Sequence, residues 1–372
     1  VYHLSRRSFQ LNGRPHDLLL VRLLTAELRR QEVQTWKKVI RVISHELNNS
    51  LAPIASLAHS GAELLRRGQP ARVVEAARIG AGASGGHVGA LAPHAPENWN
   101  AKKQVQLEAL IGAEAWWAEV AQAGGVDPGY ARTGRIQPVA PGTEARMAER
   151  IAAARSHWPG WAAMALTDSP DAALVPVSDS GLWLVDRLTA RISPRRACAA
   201  LAAAIRARGG IIEEGSTTQG PAIWATGWAG LAPFGGGGVK GQSALLGFAA
   251  PEAPQVFADG IHIVPHGDGT VAVGSTSERD VADLATDAQL DALIAKARAL
   301  CPALADAPVV DRWAGIRPRA KSRAPIVGPW PDRPGHYVAN GGFKIGLAMA
   351  PACAGMLADL ILEGRDTIPE GF

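Results

Sequence analysis

The sequence predicts a mixed α/β (α+β) fold preceded by a short hairpin and a long helix. Three observations carry that expectation. From about Gln69 onward, short β-like runs alternate with helical ones. The composition changes near Gly68, beyond which Ala, Gly, Pro and Trp are abundant. A hydrophobic content of 47% and a charged content of 19% over 372 residues describe a globular chain with room for two or three cores.

Taken in order, Ser8-Phe9-Gln10-Leu11, Asn12-Gly13 and Leu18-Leu19-Leu20-Val21 read as a hairpin around an Asn-Gly turn. A long helix then starts at Thr25, its N-cap, with Glu27 in the first turn. Trp36, Ile40, Ile43, Leu47, Leu51 and Ile54 recur at spacings of three and four and form one apolar stripe. Pro53 should kink that helix, because it lacks a backbone donor and clashes with the preceding turn. Beyond the junction, strands are expected at Arg72–Glu75, Ala222–Ala225, Ile261–Val264 and Val271–Gly274. Helices are expected at about Ala101–Gln122, Pro194–Arg208, Asp287–Leu300 and Leu347–Glu363. The Gly235–Gly238 run reads as a loop, and the paired Trp116-Trp117 as core and interdomain packing.

The formal charge of +4 is small, and no basic stripe with interleaved aromatics appears, so nucleic acid is not the default partner. Cys198, Cys301 and Cys353 make neither a CxxC nor a metal-ligand spacing, which points to reduced thiols, a cytoplasmic protein and no metal site. No apolar run is expected to reach the ~18 residues of a transmembrane segment, and no signal peptide is evident. The chain opens at Val1 within what reads as structured sequence, so an upstream truncation is expected.

Ser44-His45-Glu46-Leu47-Asn48-Asn49-Ser50-Leu51-Ala52-Pro53-Ile54 resembles the phosphoacceptor motif of two-component sensor histidine kinases. The resemblance implies that His45 takes a phosphoryl group, that Glu46 assists its imidazole, and that Asn49 positions water or substrate. The hairpin before it resembles the tail of a sensory domain, and the helix is the expected surface of a homodimer. The second hairpin helix and the ATP-binding domain of that family have no counterpart after Gly68.

After the strand Arg72–Glu75, Gly80, Gly82 and Gly85 formally spell G-x-G-x-x-G. A dinucleotide fingerprint follows its strand directly and opens a helix. Here the run lies several residues past Glu75 and continues into Gly89 and Pro93, which cannot sustain a helix. The stretch instead resembles the second motif of the D-amino-acid oxidase and glycine oxidase superfamily of FAD enzymes. That resemblance implies Glu75 as the ribose ligand, with Arg78, Ser84 and Gly85 near the adenosine and pyrophosphate. Further segments match in the family's order over about 300 residues: Trp224-Ala225-Thr226-Gly227, Val239–Gln242, Gly274–Glu278, Gly315-Ile316-Arg317-Pro318-Arg319 and Val338–Leu347. They imply Thr226, Gly227, Gly341, Gly342, Lys344, Ile345 and Gly346 at the cofactor, with Arg317 pairing a substrate carboxylate. For Arg317 a structural ion pair is an equally good reading. His87, His94, His266 and His336 are not at ligand spacings and read as hydrogen-bonded structural residues.

The fold expectation is therefore an incomplete FAD-binding Rossmann-like domain (69–95, 190–245 and 315–372) interleaved with a mixed-sheet substrate domain (96–189 and 246–314). The kinase-like segment occupies 1–68. In this superfamily a strand, a G-x-G-x-x-G turn and a helix precede the acid-bearing strand, and Val42–Leu57 of the kinase-like helix stands in their place. Loss of that turn removes backbone donors to the pyrophosphate, at roughly 1.5–3 kcal/mol for each charge-assisted hydrogen bond. The leading expectation is an FAD-dependent oxidoreductase acting on the C–N bond of a small amine or amino acid. A kinase phosphoacceptor fragment and a recombined chain without evolved activity are the alternatives. The superfamily's substrates range from D-amino acids and glycine derivatives to a modified-tRNA aminomethyl group.

Overall fold

The computed structural model describes residues 2–11, 14–23, 54–216, 222–279 and 283–372, with side chains described from residue 58 onward. Contacts divide the chain into two units, Val1–Asn49 and Ser50–Phe372. In the first, β1 (Tyr2–Leu11) and β2 (Arg14–Leu23) pair antiparallel, with Leu11 opposite Arg14, the register that an Asn12-Gly13 turn demands. The expected helix from Thr25, together with His45, Glu46, Asn49 and Pro53, lies outside the described residues.

The second unit begins with α1 (Ile54–Arg66), then β3 (Arg72–Glu75), a 3₁₀ turn at Ala83–Gly85, β4 (Ala90–Leu91) and α2 (Ala101–Gly124). Next come β5 (Arg135–Pro138), α3 (Glu144–His157), β6 (Met164–Thr167), β7 (Trp183–Asp186), β8 (Ala190–Arg191), α4 (Pro194–Ala207) and β9 (Ile211–Glu214). They are followed by β10 (Ile223–Trp224), β11 (Gly237–Gly247), β12 (Gln255–Ala258), β13 (Ile261–Pro265), β14 (Thr270–Gly274), β15 (Glu278–Arg279) and α5 (Ala288–Leu300). The chain closes with β16 (Val309–Arg319), β17 (Ile326–Pro329), β18 (Tyr337–Asn340) and α6 (Gly346–Glu363).

Local chemistry explains the helix ends. Asn100 caps α2 by accepting from the Lys103 amide, and Gly125 closes it in the left-handed conformation. Asp287 caps α5 by accepting from the Gln289 amide. Between Gly80 and Gly89 there is a turn and one 3₁₀ segment but no α-helix, in keeping with rejecting a dinucleotide fingerprint there. Two readings need correction. Gly237 and Gly238 belong to β11, because Arg319 and Pro318 of β16 pair with them and extend the ladder into the glycine run. One helix, α6, is long and apolar enough by length and composition to cross a membrane. Its Met349, Cys353 and Leu357 are nevertheless buried against β17 and β18, as in a core helix.

Two architectures share this unit. A nine-stranded mixed sheet runs β15-β11-β14-β13-β12-β5-β7-β6, with β16 also on β11. One face, carrying Ala244, Leu246, Val256, Ile263 and Val273, packs on Leu290 and Ile294 of α5. On the other side of the molecule the strands fall in separate small sheets: β3-β9 parallel, and β10-β18-β17. Helix α1 touches β3, β10 and β18. Ala58 and Ala62 are buried on it, while Arg67 at its end binds Asp359 of α6 at 2.6 Å.

Candidate active site

A cavity of about 570 Å³ opens between the nine-stranded sheet and the N-terminal end of α6. Its floor is one row of side chains crossing the sheet in register. Trp313 on β16 lies opposite Ser243 on β11, Ser243 opposite Gly274 on β14, Gly274 opposite His262 on β13, and His262 opposite Phe257 on β12. Strand side chains alternate between faces, so residues an even number of positions along share this face: Gly241 and Arg317 at one end, Arg135 and Gln137 of β5 at the other.

Arg317 is mostly enclosed. Nη1 donates to Ser275 Oγ at 2.6 Å, and Nη2 donates to the Thr276 carbonyl at 2.7 Å and to Ser277 Oγ at 3.1 Å. All of these acceptors are neutral, and Nε is buried with no partner among the described residues. Burial pushes the Arg317 pKa down to about 10, so it stays cationic at neutral pH. The guanidinium fits because Gly241 has no side chain; a Cβ there would stand 2.7 Å from Arg317 Cζ. Lys344 Nζ lies 5.8 Å from the centroid of the Phe343 ring, which the Arg317 guanidinium approaches to 5.3 Å, and the Lys344 pKa is lowered by burial and then by the charge of Arg317. Phe343 itself takes φ of 46°, an uncommon conformation for a residue with a side chain, which presents its ring to both cations.

Beside them a polar chain leads outward. Ser243 Oγ is 3.1 Å from His87 Nδ1, His87 Nε2 is 3.1 Å from Asp311 Oδ2, and Arg195 binds Asp311 at 2.8 Å. Burial lowers the His87 pKa, against the pull of Asp311, so a neutral ring donates to Asp311 and accepts from Ser243. His94 meets Gln106, His266 meets the His87 carbonyl, and His336 accepts from Trp224; each of the four histidines is hydrogen-bonded, and His87 and His94 also line the cavity. Trp117 is buried in the core edge-on to Trp116.

Of the residues singled out in the sequence, Ser84, Arg317, Gly342, Lys344, Ile345 and Gly346 line this cavity together. Glu75, Arg78, Gly85, Thr226, Gly227 and Gly341 do not. Glu75 is buried at the end of β3, its pKa raised by burial and by Glu214 on the paired strand. Thr226 and Gly227 adjoin the loop after β18, where Asn340 donates to the Gly227 carbonyl at 2.9 Å. Sequence reading missed Arg135, Gln137, Ser243, His262 and Trp313. None carries a motif, and only strand order assembles them.

The nine-stranded sheet and the smaller sheets, with a cationic cavity at their junction, define a two-part α/β enzyme scaffold. The same fold is seen in glycine oxidase from Geobacillus kaustophilus, with a TM-score of 0.71 at 23% identity over 84% of this chain and 93% of that one. The family model described as FAD dependent oxidoreductase matches residues 58–360, and the chain belongs to that family. Among curated proteins it is 40% identical over 132 residues to a glycine oxidase of Pseudomonas aeruginosa and 38% identical over 141 residues to one of Pseudomonas putida. These matches span 36% and 39% of those proteins' lengths.

Proposed function

We propose that this chain oxidises the C–N bond of a small amino acid or amine with FAD, and that Arg317 and Lys344 hold the substrate carboxylate. The observation that carries the reading is a guanidinium whose hydrogen-bond partners among the described residues are all neutral, beside a second cation, in a cavity that no Asp or Glu lines among the described residues. An anion is the ligand such a site lacks.

The residues present fit FAD at its flavin end. A Cβ on Gly342 would stand 2.6 Å from Gly346 Cα, and one on Gly86 2.9 Å from the Trp313 ring, so both positions need glycine and keep bare backbone at the cavity wall. Gly342, Lys344, Ile345 and Gly346 would hold the ring end, the last at the start of α6, whose dipole favours negative charge. Glu75, Arg78, Ser84 and Gly85 would hold the adenosine side, with Thr226, Gly227 and Gly341 on the turns between. Bound FAD supplies the acceptor for the hydride leaving the carbon that bears the amine, and the imine so formed hydrolyses in water. Ser243 Oγ, oriented by neutral His87, offers an acceptor for the substrate ammonium proton, and Asp311 stands behind it at the surface. In this reading the first nucleotide-binding turn is absent and pyrophosphate binding is correspondingly weaker. Support comes from the separation of β3-β9 from β10-β18-β17, with no joining strand among the described residues.

The FAD-binding segments 69–95, 190–245 and 315–372 and the substrate segments 96–189 and 246–314 are part of the same proposal. Cytoplasmic residence and a homodimer through the N-terminal helix also belong to it. The test is oxidation of glycine and N-methylglycine by FAD-supplemented protein, following the released carbonyl compound with a soluble electron acceptor. Turnover that falls sharply in Arg317→Gln is expected; wild type that turns over no small amine contradicts the reading. For the N-terminal unit the eleven-residue pattern at Ser44–Ile54 supports a second reading, His45 as phosphoacceptor with Glu46 and Asn49 assisting. Phosphate transfer from ATP to wild type but not to His45→Ala would support it, and equal labelling of both would sink it.

A further inference from the structure

We infer that the substrate carries two anionic groups, and that Arg135 and Gln137 bind the second; the inference rests on the proposal that Arg317 binds the first. Arg135 is more than nine-tenths buried, and its Nε donates to Asp186 at 2.9 Å. Neither Nη has a hydrogen-bond partner among the described residues, although the side chain lines the cavity. Asp186 is already engaged by the Thr189 amide as well, so this ion pair fixes the guanidinium while leaving its outer edge free. Gln137, two residues on along β5, shares the face and the cavity, and its amide has no partner among the described residues. A substrate as small as glycine, seated on Arg317, would leave that end of the cavity unfilled.

The span between the two ends is set by the sheet. The Arg317 guanidinium lies over Gly241 of β11 and reaches Ser275 just past β14, whereas Arg135 stems from β5, three strands beyond β14. Three strand spacings are about 14 Å. The two guanidinium groups therefore stand too far apart for one carboxylate to meet both, and a ligand that meets both carries two. A dicarboxylate with its groups on a flexible chain is the class of ligand this arrangement admits. His262 lies along the way. Its pKa is pushed to about 3 by burial first and then by the charges of Arg135 and Lys344, the two cations that flank it. A neutral imidazole lining the cavity is suited to hydrogen-bond the middle of such a ligand.

The test uses the full chain and unreactive probes: glutarate, with two carboxylates, against pentanoate, with one carboxylate on the same five-carbon chain. Affinity is read by calorimetry with and without added FAD. One charge-assisted contact corresponds to roughly tenfold or more in affinity, so glutarate should bind at least tenfold tighter to wild type. The advantage should fall below about threefold in Gln137→Leu, which breaks no side-chain hydrogen bond among the described residues, and in Arg135→Lys, which keeps a cation beside Asp186 but loses the fork. Equal binding of the two probes, or an advantage that both variants retain, overturns the inference. Arg317→Gln should weaken both probes. If glutarate keeps its advantage while no amine is oxidised, the oxidase reading fails and the second anion site stands.

Discussion

Arg317 and the histidines around it set the behaviour expected of single residues. The Arg317 guanidinium is held by Ser275, Thr276 and Ser277 with no countercharge among the described residues, so its orientation is fixed. Arg317→Lys keeps the charge but loses the planar fork, and kcat/KM should drop by roughly 10–100-fold, mainly through KM. A KM that stays constant would show that Arg317 is a structural group. His262 makes acid stability a second readout. Its folded pKa of about 3 lies below the ordinary 6.5, so the folded state binds fewer protons than the unfolded chain. Its contribution is fully present above about pH 6.5 and is lost as pH falls toward 3, by up to ~1.4 kcal/mol per pH unit. His87, His94 and His266 shift in the same direction. Urea midpoints measured from pH 7 to pH 5 should therefore fall, and His262→Gln should make the fall shallower; an unchanged slope would exclude His262 as a contributor.

At the level of elements, α5 and the strands beneath it behave as one body. The Asp287 carboxylate accepts from the Gln289 amide and from Gln242 Nε2, both at 2.9 Å, and Lys240 Nζ lies 3.8 Å away. Asp287→Ala should cost about 1–2 kcal/mol, seen as a lower urea midpoint with unchanged slope; a neutral result would mean that the cap is replaced by solvent. Asp287 also marks what the sequence could disclose. Helical patterning is local information, and the helices at Ala101, Pro194, Ala288 and Gly346 were all legible from it. Helix α3 was not, because Glu144–His157 is polar nearly all round and buries only Met147 and Ala154. Strands β5, β6 and β7 are four residues each, too short for alternation to register. The site divides the same way. Arg317 and Gly342–Gly346 sit in continuous glycine-bearing motifs and could be read. Arg135 and His262 are 127 positions apart in the sequence and meet only because β12 pairs with both β5 and β13.

For the molecule as a whole, the cofactor is where the account is most exposed. The mixed sheet, its α5 cover and the cationic floor need nothing beyond the described residues. The proposed nucleotide side consists of two separate sheets, both touched by α1. A ligand bridging them should act as structural mortar as well as reagent. At a free concentration 100 times Kd, FAD would add about 2.7 kcal/mol to the folded state. A rise in Tm with FAD, but not with an equal concentration of AMP, would follow if the flavin end carries most of the binding. Equal shifts would assign the affinity to the adenosine side. The most direct measurement is the visible spectrum of the full chain after incubation with FAD and removal of free cofactor by gel filtration. The account predicts a flavin band near ~450 nm that co-elutes with the protein and bleaches anaerobically when a small amino-acid substrate is added. A correctly folded but colourless protein would contradict it.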